Sequence, residues 1–149
     1  MTNKQSNLDG TLSDEEIKWL ARRAKGGFAI TTTAAANVTE HGRGWDGEMG
    51  VWGDHQLPGL TNMATQLNET GTLSLAQIFH GGMRAPQSLN GVQPVSASEN
   101  TEAGMDGLYT RELSAQEVLE MIQSFTDAAI RCQKAGFHGV ELHGAHSYL

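Results

Sequence analysis

The chain has 149 residues, enough for one domain with an ordinary core. Seventeen acidic residues against ten basic ones give a net charge of −7, which argues against a nucleic-acid or anionic-membrane surface. One cysteine, Cys132, excludes an internal disulfide and a cysteine-rich metal site, and no apolar run is long enough to span a bilayer. Ser13-Asp14-Glu15-Glu16 predicts a capping box, a hydroxyl N-cap with a glutamate three residues on. Behind it Ile17, Leu20, Ala21 and Ala24 recur at helical spacing, and Gly26-Gly27 stops the helix. Phe28 to Thr33 is β-rich and continuous, as expected of a buried strand. A polar stretch from Asn37 to Asp54 holds Trp45 and Trp52, both expected to pack rather than to hold a cofactor.

Pro58 to Leu67 predicts a second helix and Leu73 to Phe79, "LSLAQIF", a second strand. Residues 80–112 have little periodicity and are expected to form a long loop. Ser114-Ala115-Gln116-Glu117 is another capping box, opening a helix with Val118, Met121, Ile122, Phe125, Ala129 and Ile130 on one face. Cys132 falls inside it as a small packing residue, and Gly136 is its expected stop. His138 to His143 is the third strand.

Capped helices between short apolar strands predict βαβ units and a parallel sheet, either doubly wound or part of a (β/α)8 barrel. No G-x-G-x-x-G stands between a strand and a helix, and no P-loop pattern is present. In a barrel, the groups at the C-terminal strand ends face the active site. Those ends hold Ala34 and Ala35, then Gln77 and His80, then His143, His146 and Tyr148. Small residues, an amide, imidazoles and a phenol on one rim suit a site that binds a flat ring and polarises something above it. A zinc site from His143, His146, Glu141 and His80 is a rival reading, but the usual zinc spacings are absent.

The segments "LAQIFHGGMRA" and "GVELHGAHSYL" resemble the Gln-containing third-strand motif and the His-x-x-His-x-Tyr-Leu fourth-strand motif of the Old Yellow Enzyme family. "VWGDHQLPG" fits as well, and Met1-Thr2 matches the end of the family's first barrel strand. The resemblance runs from end to end. It implies an α/β fold that is part of a (β/α)8 TIM barrel, from the end of strand one to strand four. Such barrels need roughly 250 residues, so residues 1–149 are expected to be an N-terminal fragment, expected to associate through exposed barrel edges as a homo-oligomer.

The resemblance implies FMN as cofactor, NADH or NADPH as reductant, and a small-molecule substrate such as an enone or nitroalkene. His143 and His146 match the pair that hydrogen-bonds the substrate oxygen, where negative charge develops on reduction. His143 also matches a flavin contact. Tyr148 matches the proton donor to carbon, a phenol that stays protonated at neutral pH. Gln77 matches the amide that pairs with the polar edge of the flavin, Thr2 a flavin contact, and Ala35 (with Ala34 beside it) the small residue against the ring. In a barrel the phosphate grip comes from the loops after strands seven and eight, so FMN affinity of residues 1–149 alone is expected to be weak. No partner nucleic acid or membrane is expected, and the compartment is expected to be cytoplasmic. Within the family, a 2,4-dienoyl-CoA reductase-like enzyme with a downstream iron–sulfur site is an alternative. A non-catalytic half-barrel module is the reading from a different class.

Overall fold

The computed structural model describes residues 2–101 and 109–149; Met1 lies outside them. A 12-residue helix, α1 (Asp14–Lys25), precedes strand β1 (Ile30–Asn37). Strand β2 (Met49–Gly50) and helix α2 (Leu57–Asn68) follow, then strand β3 (Leu73–Phe79). The stretch predicted as a plain loop holds a short helix, α3 (Gln87–Asn90), and three short strands, β4 (Val95–Ser96), β5 (Asn100–Thr101) and β6 (Tyr109–Glu112). Helix α4 (Ala115–Ala135) then leads to strand β7 (Gly139–Leu142).

The main sheet runs β2-β1-β3-β7 with every neighbouring pair parallel. Helix α1 precedes β1, and α2 and α4 come before β3 and β7, the αβ alternation that a barrel repeats. The three short strands form a separate small sheet, β4-β6-β5. It escapes sequence reading because runs of two residues carry no period, and its bonds rest on side chains. Thr110 Oγ1, for example, accepts from Asn100 N at 2.9 Å.

One face of the main sheet meets the helices. Ala36, Ala76 and Ile78 pack there on Ile17 and Leu20 of α1, Leu60, Met63 and Leu67 of α2, and Ala128 and Cys132 of α4. Burial of apolar area on this face is the main force holding the layers together. The other face is open: Ile30 is 55% and Leu73 51% exposed. The expectation of a strand buried on both faces therefore fails for β1, since helices cover only one. Helix α4 also differs from its predicted face. Met121, Phe125, Ala128, Ala129, Cys132 and Ala135 meet the core, while Val118, Ile122 and Ile130 lie outside it. Burial pushes the Cys132 thiol up to about 11, which leaves it an inert packing group.

The two predicted capping boxes come out differently. At α4, Ser114 Oγ accepts from Glu117 N and the Glu117 carboxylate accepts from Ser114 N. At α1, Ser13 Oγ accepts from Glu16 N, but the Glu16 carboxylate turns away from the helix end and accepts from the Ser6 hydroxyl.

Candidate functional site

Strand β1 reaches the rim through a bulge. Thr32 stands opposite Leu75, but Ala35 stands opposite Gln77, so β1 spends three residues where β3 spends two. Thr33 patches the break. Its hydroxyl accepts from Gln77 N at 3.0 Å and donates to Ala34 O at 2.7 Å. Beyond the bulge Ala35, Gln77 and Glu141 form one row across three parallel strands, and their side chains leave the sheet on the open face. The Gln77 carboxamide donates through Nε2 to Glu141 Oε1 at 2.5 Å. Ala35 is buried, whereas Ala34 lines a groove of about 590 Å³ between residues Thr2 and Asn3, the stretch Ile30–Thr33 of β1, and Trp19, Leu20 and Arg23 of α1.

The next row on the same face carries Asn37 and Phe79, and past it the chain end brings His143, His146 and Tyr148 together. Phe79 is fully buried beneath them. The Tyr148 ring stands edge-on to Phe79 at 5.0 Å and to His143 at 5.2 Å. Trp45 stacks on Phe79 at 5.6 Å, so the packing expected of it takes place in this aromatic floor. Motif reading missed it because its partner is 34 residues away and no local spacing signals the contact.

The two imidazoles face each other. His143 Nδ1 accepts from Ala145 N at 3.2 Å, which places the proton of a neutral ring on Nε2. That Nε2 lies 3.3 Å from His146 Nδ1. In this arrangement His143 donates to His146, and His146 Nε2–H is the donor left for an outside oxygen. Burial lowers the His143 pKa and favours the neutral ring.

The Tyr148 segment is held from the loop after β3. His80 is buried, and its Nδ1 accepts from Gly82 N at 2.9 Å. Burial pushes His80 down to about 4, so it stays a neutral acceptor. The turn it fixes presents Met83 N to Tyr148 O at 2.6 Å. Gly82 sits at φ +53°, and a Cβ there would lie 1.5 Å from Tyr148 O, so only glycine permits the approach. His146 and Ser147 also take left-handed conformations, φ 61° and 54°, the kind of local strain that clusters at functional sites. Arg84 lies in the same turn, and Tyr109 is exposed on β6.

Among the described residues no three His, Cys, Asp or Glu side chains converge as metal ligands. No helix among them is long and apolar enough to cross a membrane.

The family model for the NADH:flavin oxidoreductase / NADH oxidase family matches residues 1–149. A probable NADH-dependent flavin oxidoreductase of Bacillus subtilis, YqiG, is 36% identical over 150 residues, covering 100% of this chain and 40% of the relative. The NADH:acrylate oxidoreductase of Vibrio harveyi is also 36% identical and is covered over 15% of its length. Among solved structures, a 2-naphthoyl-CoA reductase in complex with 2-naphthoyl-CoA superposes with a TM-score of 0.93 at 28% identity, over 100% of this chain and 24% of that one. An Old Yellow Enzyme homologue from Zymomonas mobilis gives a TM-score of 0.91 at 28% identity, over 100% of this chain and 44% of its own. The chain therefore spans well under half the length of these relatives, and its parallel sheet and helices are part of their α/β barrel. Its bulged β1, the Gln77 row and the His143-to-Tyr148 end all fall within the matched residues, and the chain belongs to the NADH:flavin oxidoreductase / NADH oxidase family.

Proposed function

We propose that this chain supplies the ring-binding and acceptor-polarising side of an FMN-dependent NAD(P)H oxidoreductase site, with an activated alkene such as an enone or nitroalkene as acceptor. The observation that carries this reading is the grouping of His143, His146 and Tyr148 over Phe79, next to the row of Ala35 and Gln77 on the same face of the sheet. The donor set suits a flavin edge. A carboxamide offers both a donor and an acceptor, and the Gln77 amide lies on the uncovered face of the sheet.

When bound, FMN supplies the hydride chemistry, taking it from NADH or NADPH. The residues of this chain do the rest of the work. His146 Nε2–H, backed by the His143 bond, donates to the acceptor oxygen as negative charge grows there. Rotation of His146 frees the His143 Nε2–H as a second donor. Tyr148 holds a proton on its phenol oxygen for delivery to carbon. Ala34 and Ala35 leave room for a flat ring, and Phe79 with Trp45 excludes water from below.

A CoA thioester of an unsaturated acid is the alternative acceptor, supported by the likeness to the 2-naphthoyl-CoA reductase. A non-catalytic half-barrel is the second reading, favoured by the uncovered Ile30 and Leu73. One anaerobic experiment separates these. FMN is added to the purified chain, then NADH, then either cyclohexenone or an enoyl-CoA. A perturbed flavin band that bleaches with NADH and returns with one acceptor supports the enzyme reading and names the acceptor class. A free-FMN spectrum throughout, both alone and with the remaining barrel strands of a relative added, supports the non-catalytic module.

A further inference from the structure

Two carboxyls outside the proposed machinery are buried to the same degree. Glu16 and Glu48 are each only 2% exposed. Both act on the segment 3–6, which runs on directly from Thr2. Glu16 grips it from α1: its carboxylate accepts from the Ser6 hydroxyl and from the Asn3 side chain. Glu48 grips it indirectly, through the loop 44–48.

Gly44 N donates to Glu48 Oε2 at 2.7 Å, and Trp45 N donates to the same carboxyl. The loop closed in this way reaches in two directions. Towards the N-terminal segment, Gly47 O accepts from Ser6 N at 3.0 Å, and Trp45 Nε1 donates to Asn3 O at 2.7 Å. Gly47, at φ +73°, comes so close that a Cβ would meet Lys4 O at 2.9 Å. Towards the aromatic floor, the Trp45 ring stacks on Phe79, which carries Tyr148. The other carboxyl oxygen, Oε1, has no hydrogen-bond partner among the described residues.

We propose that Glu48 is a positioning residue that, through the loop 44–48, sets both the Thr2 flank and the Phe79–Tyr148 floor of the site. The part it plays in reduction rests on the function proposed above; the positioning itself does not. Two backbone N–H groups need only an acceptor, which a glutamine would also supply. A carboxyl adds a dependence on pH. Burial pushes Glu48 up to about 8, against the pull of the Gly44 and Trp45 amides and of Arg43. The Arg43 guanidinium is itself bonded to Glu40 O and Leu8 O. Asp46 lies in the same loop, Lys4 in the facing segment, and the neutral His80 at the end of β3. Through neutral pH the carboxyl holds the loop as an acid, and it becomes an anion near the upper end of the physiological range.

The test follows amide and indole resonances of the whole chain by ¹⁵N NMR, with Trp45 assigned through W45F. In the wild type, the Gly44 and Trp45 amides should titrate together with a midpoint near pH 8. In E48Q they should stay flat while the Trp45 indole keeps its wild-type position, since the amide oxygen replaces the acceptor. In E48A the indole should shift and exchange roughly fivefold faster, about the loss of one hydrogen bond. A wild type with no such titration, or a folded E48A with an unmoved Trp45 indole, overturns the proposal. If E48A does not fold, the wild-type and E48Q titrations decide alone. An FMN titration of the same samples keeps the two ideas apart: absent flavin binding with the Glu48 titration present rejects the flavin reading and leaves the positioning role standing.

Discussion

Ala35 stands opposite Gln77 only because β1 carries one residue more than β3 between this pair and the Thr32–Leu75 pair. The extra residue turns the run Thr31-Thr32-Thr33-Ala34-Ala35-Ala36 so that Ala36 reaches the helix-facing core while Ala35 shares a face with Gln77. The Thr33 hydroxyl is what the ladder uses in place of the missing backbone bond.

Thr33→Val keeps the size and removes that hydroxyl. It leaves Gln77 N and Ala34 O without their side-chain partner in a partly buried place. We expect a loss of about 1–3 kcal/mol in urea unfolding and a changed chemical shift for the Gln77 amide. A variant as stable as the wild type would mean that the bulge is held by packing alone.

Stability should depend on pH through two buried groups of opposite sense. Glu48 is raised from 4.5 to about 8 in the fold, so its contribution is full below pH 4.5 and is lost as pH rises to 8. Glu16, also raised by burial, acts in the same direction. His80 is lowered from 6.5 to about 4, so its contribution is full above pH 6.5 and is lost as pH falls to 4. Glu48 and His80 oppose each other between 4.5 and 6.5, and above 6.5 Glu48 acts without His80. The urea midpoint should therefore fall from pH 6.5 to 8, and E48Q should flatten that fall, gaining on the order of a few kcal/mol at pH 8. A wild-type midpoint that is constant across this window would contradict the burial of Glu48.

Tyr148→Phe should separate two halves of the proposed reaction. Loss of the phenol leaves the reduction of flavin by NADH unchanged and slows the oxidation of reduced flavin by an enone by about 10²–10⁴-fold, the usual worth of a positioned general acid. Stopped-flow absorbance measures both rates in the same flavin-loaded sample. Equal rates for wild type and variant in the enone step would remove Tyr148 from the proton-donor role.

The uncovered apolar side chains should make the chain self-associate. Ile30, Leu73 and Leu142 are all more than half exposed on the main sheet, and a sheet left open is a template for pairing. Light scattering should show a mass that rises with concentration and falls in the double variant I30K/L73K. A monomer at every concentration would contradict this.

The regular parts of this fold were legible in the sequence because they follow from local rules. Helices α1 and α4 start at hydroxyl N-caps, and α4 stops at Gly136, in the left-handed conformation expected of a C-terminal glycine. The strand from Leu73 to Phe79 came out with the boundaries its apolar run suggested. What was hidden rests on long-range partners. The run of threonines and alanines in β1 has no anchor from which to see a bulge. The Glu16 carboxylate looks like a capping residue until Ser6, ten positions away, is seen to hold it. Trp45 looks like loop packing until Phe79 is placed beneath it. At the candidate site, the motif brought His143, His146 and Tyr148 into view, but not that the two imidazoles bond to each other.

The contact between Gly82–Met83 and the Tyr148 carbonyl joins stretches of chain more than sixty positions apart. Anyone shuffling segments among related reductases will meet it as a seam. A crossover placed between these stretches inherits one side of the contact from each parent. If the incoming turn carries any residue but glycine at position 82, its side chain collides with the backbone that bears the phenol. Chimeras made here should fail in proportion to that mismatch even where overall identity is high, and exchanging both stretches as one unit should restore them.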